Sequence, residues 1–279
     1  MEALDIIILV FGSIFSYLLG GISIARFITK KKKDGNIVSQ GSGNPGTMNM
    51  LRTHGIVMGL FTLLCDALKG VLPALFGLLY FNGYDYGLQY IALFLFGFCA
   101  VVGHIFPIYY KFKGGKGIAT TFGVFAVADP LTTVILFVML FIILYFIKIG
   151  SVVSLLYIII QATVQMFRSY SYHNWIMIAI MWIMVLLDVY AHRKNLDRLL
   201  ENKENAADLQ EGLEKDIQKL KEKKKRKLEK NKQKQEKIKT KYERKISRKH
   251  DKVNKKLAKI NSVSTDENKK NETSKDVEG

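Results

Sequence analysis

Apolar runs of about twenty residues, separated by short polar or glycine-rich stretches, fill the first two hundred positions of the chain. They lie at roughly 4–28, 57–80, 88–108, 131–148, 151–168 and 173–191. Each is long enough to cross a bilayer as a single helix. A shorter run, 117–128, sits between Lys116 and Ala128-Asp129-Pro130. At about a dozen residues it is marginal for spanning and reads as a partial or re-entrant helix. Counted as a crossing, it makes seven. The pattern predicts an all-α membrane protein, a seven-helix bundle with a short fourth helix.

Charge sets the expected orientation, because Lys and Arg favour cytoplasmic loops. With the N-terminus outside, the inner segments are 29–56, 109–116, the turn near 148–150 and the tail. They carry Lys30, Lys31, Lys32, Lys33, Arg52, Lys111, Lys113, Lys116, Lys148, Arg193, Lys194 and Arg198. The outer segments 81–87, 129–130 and 168–174 offer only Arg168. The asymmetry favours an odd number of crossings and a cytoplasmic C-terminus. Glu2 and Asp5 occupy the place of a basic n-region, and no small-residue cleavage site follows, so the first run reads as a membrane helix and not as a secretion signal. Cys65 and Cys99 lie in apolar runs without a C-x-x-C pair, as two buried thiols.

Composition is split. Residues 1–200 hold 15 Lys/Arg and 8 Asp/Glu, whereas 201–279 hold 26 and 16, so the tail carries +10 of the formal +17.

Four polar stretches interrupt the apolar body. "GSGNPGTMNMLR", 41–52, offers Ser42, Gly43, Asn44, Asn49 and Arg52 on a glycine-rich backbone. Successive backbone N–H groups in such turns form anion-binding concavities, and Arg grips phosphate through paired hydrogen bonds. A plain flexible connector is the alternative. "KGGKG", 113–117, places Lys113, Gly114, Gly115 and Lys116 before the short helix, and a helix N-terminus suits phosphate. It is not a P-loop, since Gly117 and not Ser or Thr follows Lys116. Positive-inside lysines explain the charges but not the glycines. His104, just upstream, is either a ligand-site donor or a satisfied interfacial histidine.

"CDALKG", 65–70, puts Asp66 and Lys69 on one helix face. Intramembrane charges usually face the bundle interior in pairs, and a structural ion pair and a catalytic role both remain open. In "AHRKNLDRLLENKE", 191–204, His192, Asn195 and Arg198 recur every three residues and share one side; an ordinary amphipathic exit from the membrane has the same look. No Ser-His-Asp order and no metal-ligand cluster is evident, and no cofactor is called for.

Together these stretches resemble the membrane-embedded acyl-phosphate–glycerol-3-phosphate acyltransferase family over about 1–204. "GSGNPGTMNMLR" is similar to its first motif, "GHIFPIYYKFKGGKGIAT" to its second, and "HRKNLDRL" with Glu204 to its third. Thr47-Met48, Ala191 and Asn202 depart from the family pattern at the motif edges. The resemblance implies acyl transfer from a long-chain acyl phosphate to the 1-hydroxyl of sn-glycerol 3-phosphate, the first acylation of phospholipid synthesis. It implies that Lys116, Arg52, His104 and His192 act at the reacting groups. Ser42, Gly43, Asn44, Asn49, Lys69, Lys113, Gly114, Gly115, Asn195 and Arg198 are then expected to bind substrate. Both substrates carry phosphate, and phosphate leaves readily, so positioning and charge stabilisation supply most of the acceleration.

The domain expectation is a membrane acyltransferase domain over 1–204 and a Lys/Glu-rich cytoplasmic tail over 205–279. The tail shows helical stripes at Leu209, Leu213, Ile217 and Leu220 and a polar, disordered composition from about 262. Deleting it is expected to leave catalysis largely intact. Basic segments beside an inner membrane face attract anionic lipid. Nucleic acid is not an expected partner, because aromatic interleaving is missing. The rival reading of the body is a small organic-anion transporter, which fits the intramembrane charges. Against it stand the clustering of polar motifs on one side and the lack of a convincing repeat.

Overall fold

The computed structural model describes residues 2–32, 35–84, 86–170, 174–204 and 209–275. Lys33, Tyr172 and positions 205–208, which the sequence reading touches, lie outside the described residues. Eleven α-helices are seen among those described: α1 Ala3–Gly20, α2 Ile24–Lys32, α3 Thr47–His54, α4 Ile56–Tyr80, α5 Tyr86–Ile105, α6 Ile118–Ala128, α7 Pro130–Ile147, α8 Gly150–Tyr170, α9 Trp175–Ala191, α10 Arg193–Leu200 and α11 Leu209–Lys275. Contacts divide the chain into a compact unit, Met1–Ile217, and a second unit, Gln218–Gly279. The first turns of α11 therefore belong with the membrane body. The helix also runs through the stretch from 262 whose composition reads as disordered.

Among the described residues five apolar helices are long enough to cross a membrane, and a sixth if α9 and α10, bent by 49°, count as one span. α6, with 11 residues, is shorter. The first apolar run is broken between Gly20 and Ile24, so that α1 and α2 share one span. Helix starts are capped locally. Asp129 accepts the Thr132 N–H at 3.3 Å with Pro130 in the first turn of α7, and Asn174 accepts the Met177 N–H at 3.1 Å to start α9, satisfying donors that a helix start leaves orphaned.

Helices pack through small residues, since lipid tails give no hydrophobic drive for association. Gly70 of α4 lies against the Thr120 carbonyl of α6, and Gly123 of α6 against the Ala67 carbonyl of α4. Gly20 of α1 and Gly103 of α5 repeat the arrangement, on the Ala100 and Tyr17 carbonyls. The largest core cluster joins Phe94 of α5, Phe125 of α6, Ile158 of α8 and Met181 and Met184 of α9. Large apolar side chains such as Phe11, Phe15, Leu131 and Phe146 face outward, as a lipid-facing perimeter requires.

Candidate active site

Segments far apart in sequence meet at one cavity. The loop before α3 contributes Ser42 and Asn44, and α3 itself Asn49 and Arg52. α4 brings Asp66, the end of α5 His104, the 113–117 loop Lys116, and the α9–α10 junction His192 and Asn195. Ser151 at the start of α8 and Glu204 complete the polar wall. Beyond it the cavity is apolar and runs between Leu60, Leu63, Phe122, Phe137, Phe141 and Tyr157.

The loop is held by one side chain. Asn49 is wholly buried. Its Oδ1 accepts the Ser42 N–H at 2.9 Å, and its Nδ2 donates to the Gln40 and Ile37 carbonyls at 2.9 and 3.3 Å. Gly41 has φ +53, and any Cβ there would strike the Asn49 amide oxygen. The glycine is thus required both by backbone conformation and by space. Asn49 shapes the loop, and its amide is spent on backbone.

Lys116 and Arg52 provide the cations. Burial drives the Lys116 ammonium down to about 8; Glu204 opposes this, while Arg198 and Arg52 add to it. Burial likewise lowers Arg52, against the attraction of Glu204 and Glu211. Glu204 is the hub of the wall. It accepts from Asn195 Nδ2, from Ser151 Oγ at 3.0 Å and from Arg198 Nε at 3.0 Å. Burial pushes its carboxyl upward, but these three donors outweigh burial and leave it below its ordinary value.

Two histidines flank the wall. His192 Nδ1 lies 2.7 Å from the Asp188 carbonyl. A carbonyl only accepts, so Nδ1 carries the proton and Nε2 is the remaining polar ring atom. His104 Nδ1 stands 3.9 Å from Asp66 Oδ1, and Asp66 is bridged by Lys69 at 2.6 Å.

Six expected residues do not line the cavity. Gly43 closes a turn through its N–H to the Gln40 carbonyl at 2.9 Å. Gly114 and Gly115 direct their N–H groups back to the Ile105 and His104 carbonyls, at 3.1 and 3.0 Å. A Cβ on Gly115 would strike the His104 ring, so these glycines allow close packing on α5. Lys113 is exposed, and its carbonyl accepts from Arg26 Nη2 at 2.7 Å. Lys69 is used up in its buried pair with Asp66, and Arg198 approaches the cavity only through Glu204.

The glycerol-3-phosphate acyltransferase family model matches residues 10–202. The chain belongs to this family. It is 37% identical over 195 residues to the glycerol-3-phosphate acyltransferase of Shouchella clausii, covering 69% of this chain and 92% of the relative. The enzyme of Finegoldia magna is 33% identical over 209 residues, covering 74% and 98%. Among solved structures, PlsY (YgiH), an integral membrane glycerol 3-phosphate acyltransferase, superposes in its glycerol 3-phosphate form with a TM-score of 0.66 at 30% identity, over 74% of this chain and 98% of that one. Its lysophosphatidic acid form gives 0.64 at 31%.

This acyltransferase contains site residues that sequence reading passed over. Asp188 is fully buried in α9. It accepts from Thr121 Oγ1 of α6 at 2.6 Å and packs on Gly117, tying the Lys116 loop to the last helix. A carboxylate inside the apolar run "MVLLDVY" was the available signal, since such residues are expensive in a membrane. Glu204 stands within a quoted motif, at the end of the fourth polar stretch. Ser151 carried no signal in the sequence.

Proposed function

We propose that this acyltransferase moves a long-chain acyl group from an acyl phosphate to the 1-hydroxyl of sn-glycerol 3-phosphate. The products are 1-acyl-sn-glycerol 3-phosphate and inorganic phosphate. The observation that carries the reading is one cavity with Lys116 and Arg52 at its polar end and a greasy groove at the other. Solved relatives in glycerol 3-phosphate and lysophosphatidic acid forms support it, as the acceptor and product of that reaction.

Lys116 and Arg52 hold the phosphates, assisted by Ser42 and Asn44. His104 and His192 orient the acceptor; the Nε2 of a neutral His192 accepts a hydrogen bond from a hydroxyl. Asn195 sits beside them, fixed by Glu204. Gly43, Asn49, Gly114 and Gly115 shape the backbone, while Lys69 and Arg198 orient Asp66 and Glu204. The acceptor oxygen attacks the acyl carbon, and the bond from that carbon to the phosphate oxygen breaks. The electron pair leaves with phosphate, which takes the hydroxyl proton. Cations fixed beforehand around that oxygen lower the barrier without reorganisation, and co-binding supplies proximity.

With α6 counted as a crossing, seven helices put the N-terminus outside and the C-terminus in the cytoplasm. The site then opens at the cytoplasmic face of the cell membrane, on the side of the lysine-bearing loops. Domain 1–204 carries catalysis, and the Lys/Glu-rich tail follows it. The transporter reading is disfavoured because the polar side chains gather at one end of the groove. The test is purified protein in detergent with palmitoyl phosphate and glycerol 3-phosphate. Equal release of phosphate and lysophosphatidate, with no product from palmitoyl-CoA, is expected. No product from either donor overturns the reading.

A further inference from the structure

The corner between α3 and α4 is tight. His54 ends one helix, Ile56 begins the next, and Gly55 alone joins them at φ +92. Such a corner gathers two sets of orphaned groups, the last carbonyls of α3 and the first N–H groups of α4. Their partial charges are opposite, negative at the end of α3 and positive at the start of α4. Arg52 occupies the last turn of α3, so the stiffness of this corner bears on where its guanidinium stands.

The start of α11 meets both sets of groups. Lys215 Nζ donates to the Arg52 carbonyl at 2.5 Å. Its neighbour Asp216 accepts the Val57 N–H through Oδ2 at 3.0 Å. The cation touches the negative helix end and the anion touches the positive one. Glu211, one turn earlier, steadies Lys215 at 2.6 Å, the i,i+4 spacing that favours such pairs. The surfaces also fit closely. A Cβ on Gly212 would come within 3.0 Å of Ile56 Cγ1 and 3.3 Å of Leu51 Cδ2, and a Cβ on Gly55 would strike Asp216. These contacts lie past residue 202, where the family match ends.

We infer that the first two turns of α11 act as a cross-chain cap for the α3–α4 corner, with Lys215 and Asp216 as positioning residues that hold Arg52 at the phosphate site. The inference rests on the acyltransferase reading through Arg52, and it revises the expectation that deleting 205–279 leaves catalysis largely intact. Only the first turns do this work. Asp216 and Lys215 touch no substrate; their effect passes through the backbone of α3.

The experiment compares Asp216→Ala, Asp216→Asn and Lys215→Ala/Asp216→Ala in the full chain. In the acyl-phosphate assay, Asp216→Ala is expected to raise the KM of a phosphate substrate about tenfold while kcat stays within twofold. Asp216→Asn keeps an acceptor for the Val57 N–H and is expected to restore most of the loss, which a general packing defect does not allow. Wild-type KM values in the double variant overturn the inference. Amide hydrogen exchange in detergent reads the cap independently of activity. Exchange at Val57 is expected to be at least tenfold faster in Asp216→Ala; an unchanged rate overturns the cap even if the acyltransferase assay fails for other reasons. Faster exchange in a protein that acylates nothing keeps the cap and rejects the reading of the site.

Discussion

Arg198 Nε donates to Glu204 Oε2 at 3.0 Å, joining α10 to the strand of chain that leaves it. The same carboxylate collects Asn195 and Ser151, so three side chains from two helices depend on one acid. Hydrogen bonds to charged groups contribute roughly 1.5–3 kcal/mol each. Glu204→Gln is expected to lower kcat/KM by about 10- to 100-fold. Loss of the negative charge also lets Lys116 titrate lower, so the alkaline limb of the pH profile moves to lower pH. A Glu204→Gln enzyme with an unshifted limb refutes the coupling.

Lys116 predicts the limb itself. With the ammonium lowered to about 8 by burial, the free enzyme loses this charge as pH rises through that value, and kcat/KM is expected to fall above it. Lys116→Arg stays charged and is expected to show a lower but flat profile to pH 9. Lys116→Ala is expected to lose at least about 100-fold, the scale of an electrostatic group at a reacting centre. Stability has a definite sign as well. The folded value lies below the ordinary 10.5, so the unfolded chain binds more protons between the two, and stability gains with pH from about 8 to 10.5. Thermal melts in detergent should show this gain relative to Lys116→Met, which lacks the group.

Asn49 predicts a stability defect that reaches activity. Asn49→Ala strands the Ser42 N–H, while the Ile37 and Gln40 carbonyls each lose one of two donors and keep the Gln40 and Gly43 N–H groups; a buried unpaired group costs about 1–3 kcal/mol. Asn49→Asp keeps the acceptor but loses both donors and faces two carbonyls with a carboxylate. Both variants are expected to melt earlier and to lose activity, the aspartate at least as severely. A melt of Asn49→Asp that matches wild type contradicts the assigned hydrogen bonds.

The crossing of α4 and α6 predicts coupling between two glycines. Gly70→Ala and Gly123→Ala each force the helices apart, and overpacking typically costs about 1–3 kcal/mol. Once one alanine has separated the helices, the second finds room. The double variant is expected to lose less thermal stability than the sum of the single losses. Strict additivity argues against a shared contact.

Much of the fold is legible in the sequence because a bilayer imposes its own length. The run at 57–80 becomes Ile56–Tyr80, and 131–148 becomes Pro130–Ile147. Hydropathy does not show the break after Gly20, because the residues around it remain apolar. At the site, eight expected residues line the cavity, drawn together from three motifs. Where expected residues stand off the cavity, the reason is tertiary. Gly115 is glycine because the His104 ring lies on it, a relation that no local spacing encodes. The charged tail reads as a solvated appendage, and only its contact with Arg52 and Val57 shows that its first turns belong to the enzyme body.

The brevity of α6 has a consequence for where the chemistry happens. Eleven residues rise about 16 Å, roughly half of a ~30 Å hydrocarbon layer. The far end of the helix leads into Asp129, which pairs with the half-exposed Arg168. A helix of that rise, set along the bilayer normal, reaches from one surface only to about mid-layer. Under the proposed function, the polar acceptor then has farther to travel from the aqueous surface than a donor whose chain already lies among the lipid tails. The thickness of the hydrocarbon layer is then expected to enter the rate, a thicker layer lengthening that path and a thinner one shortening it.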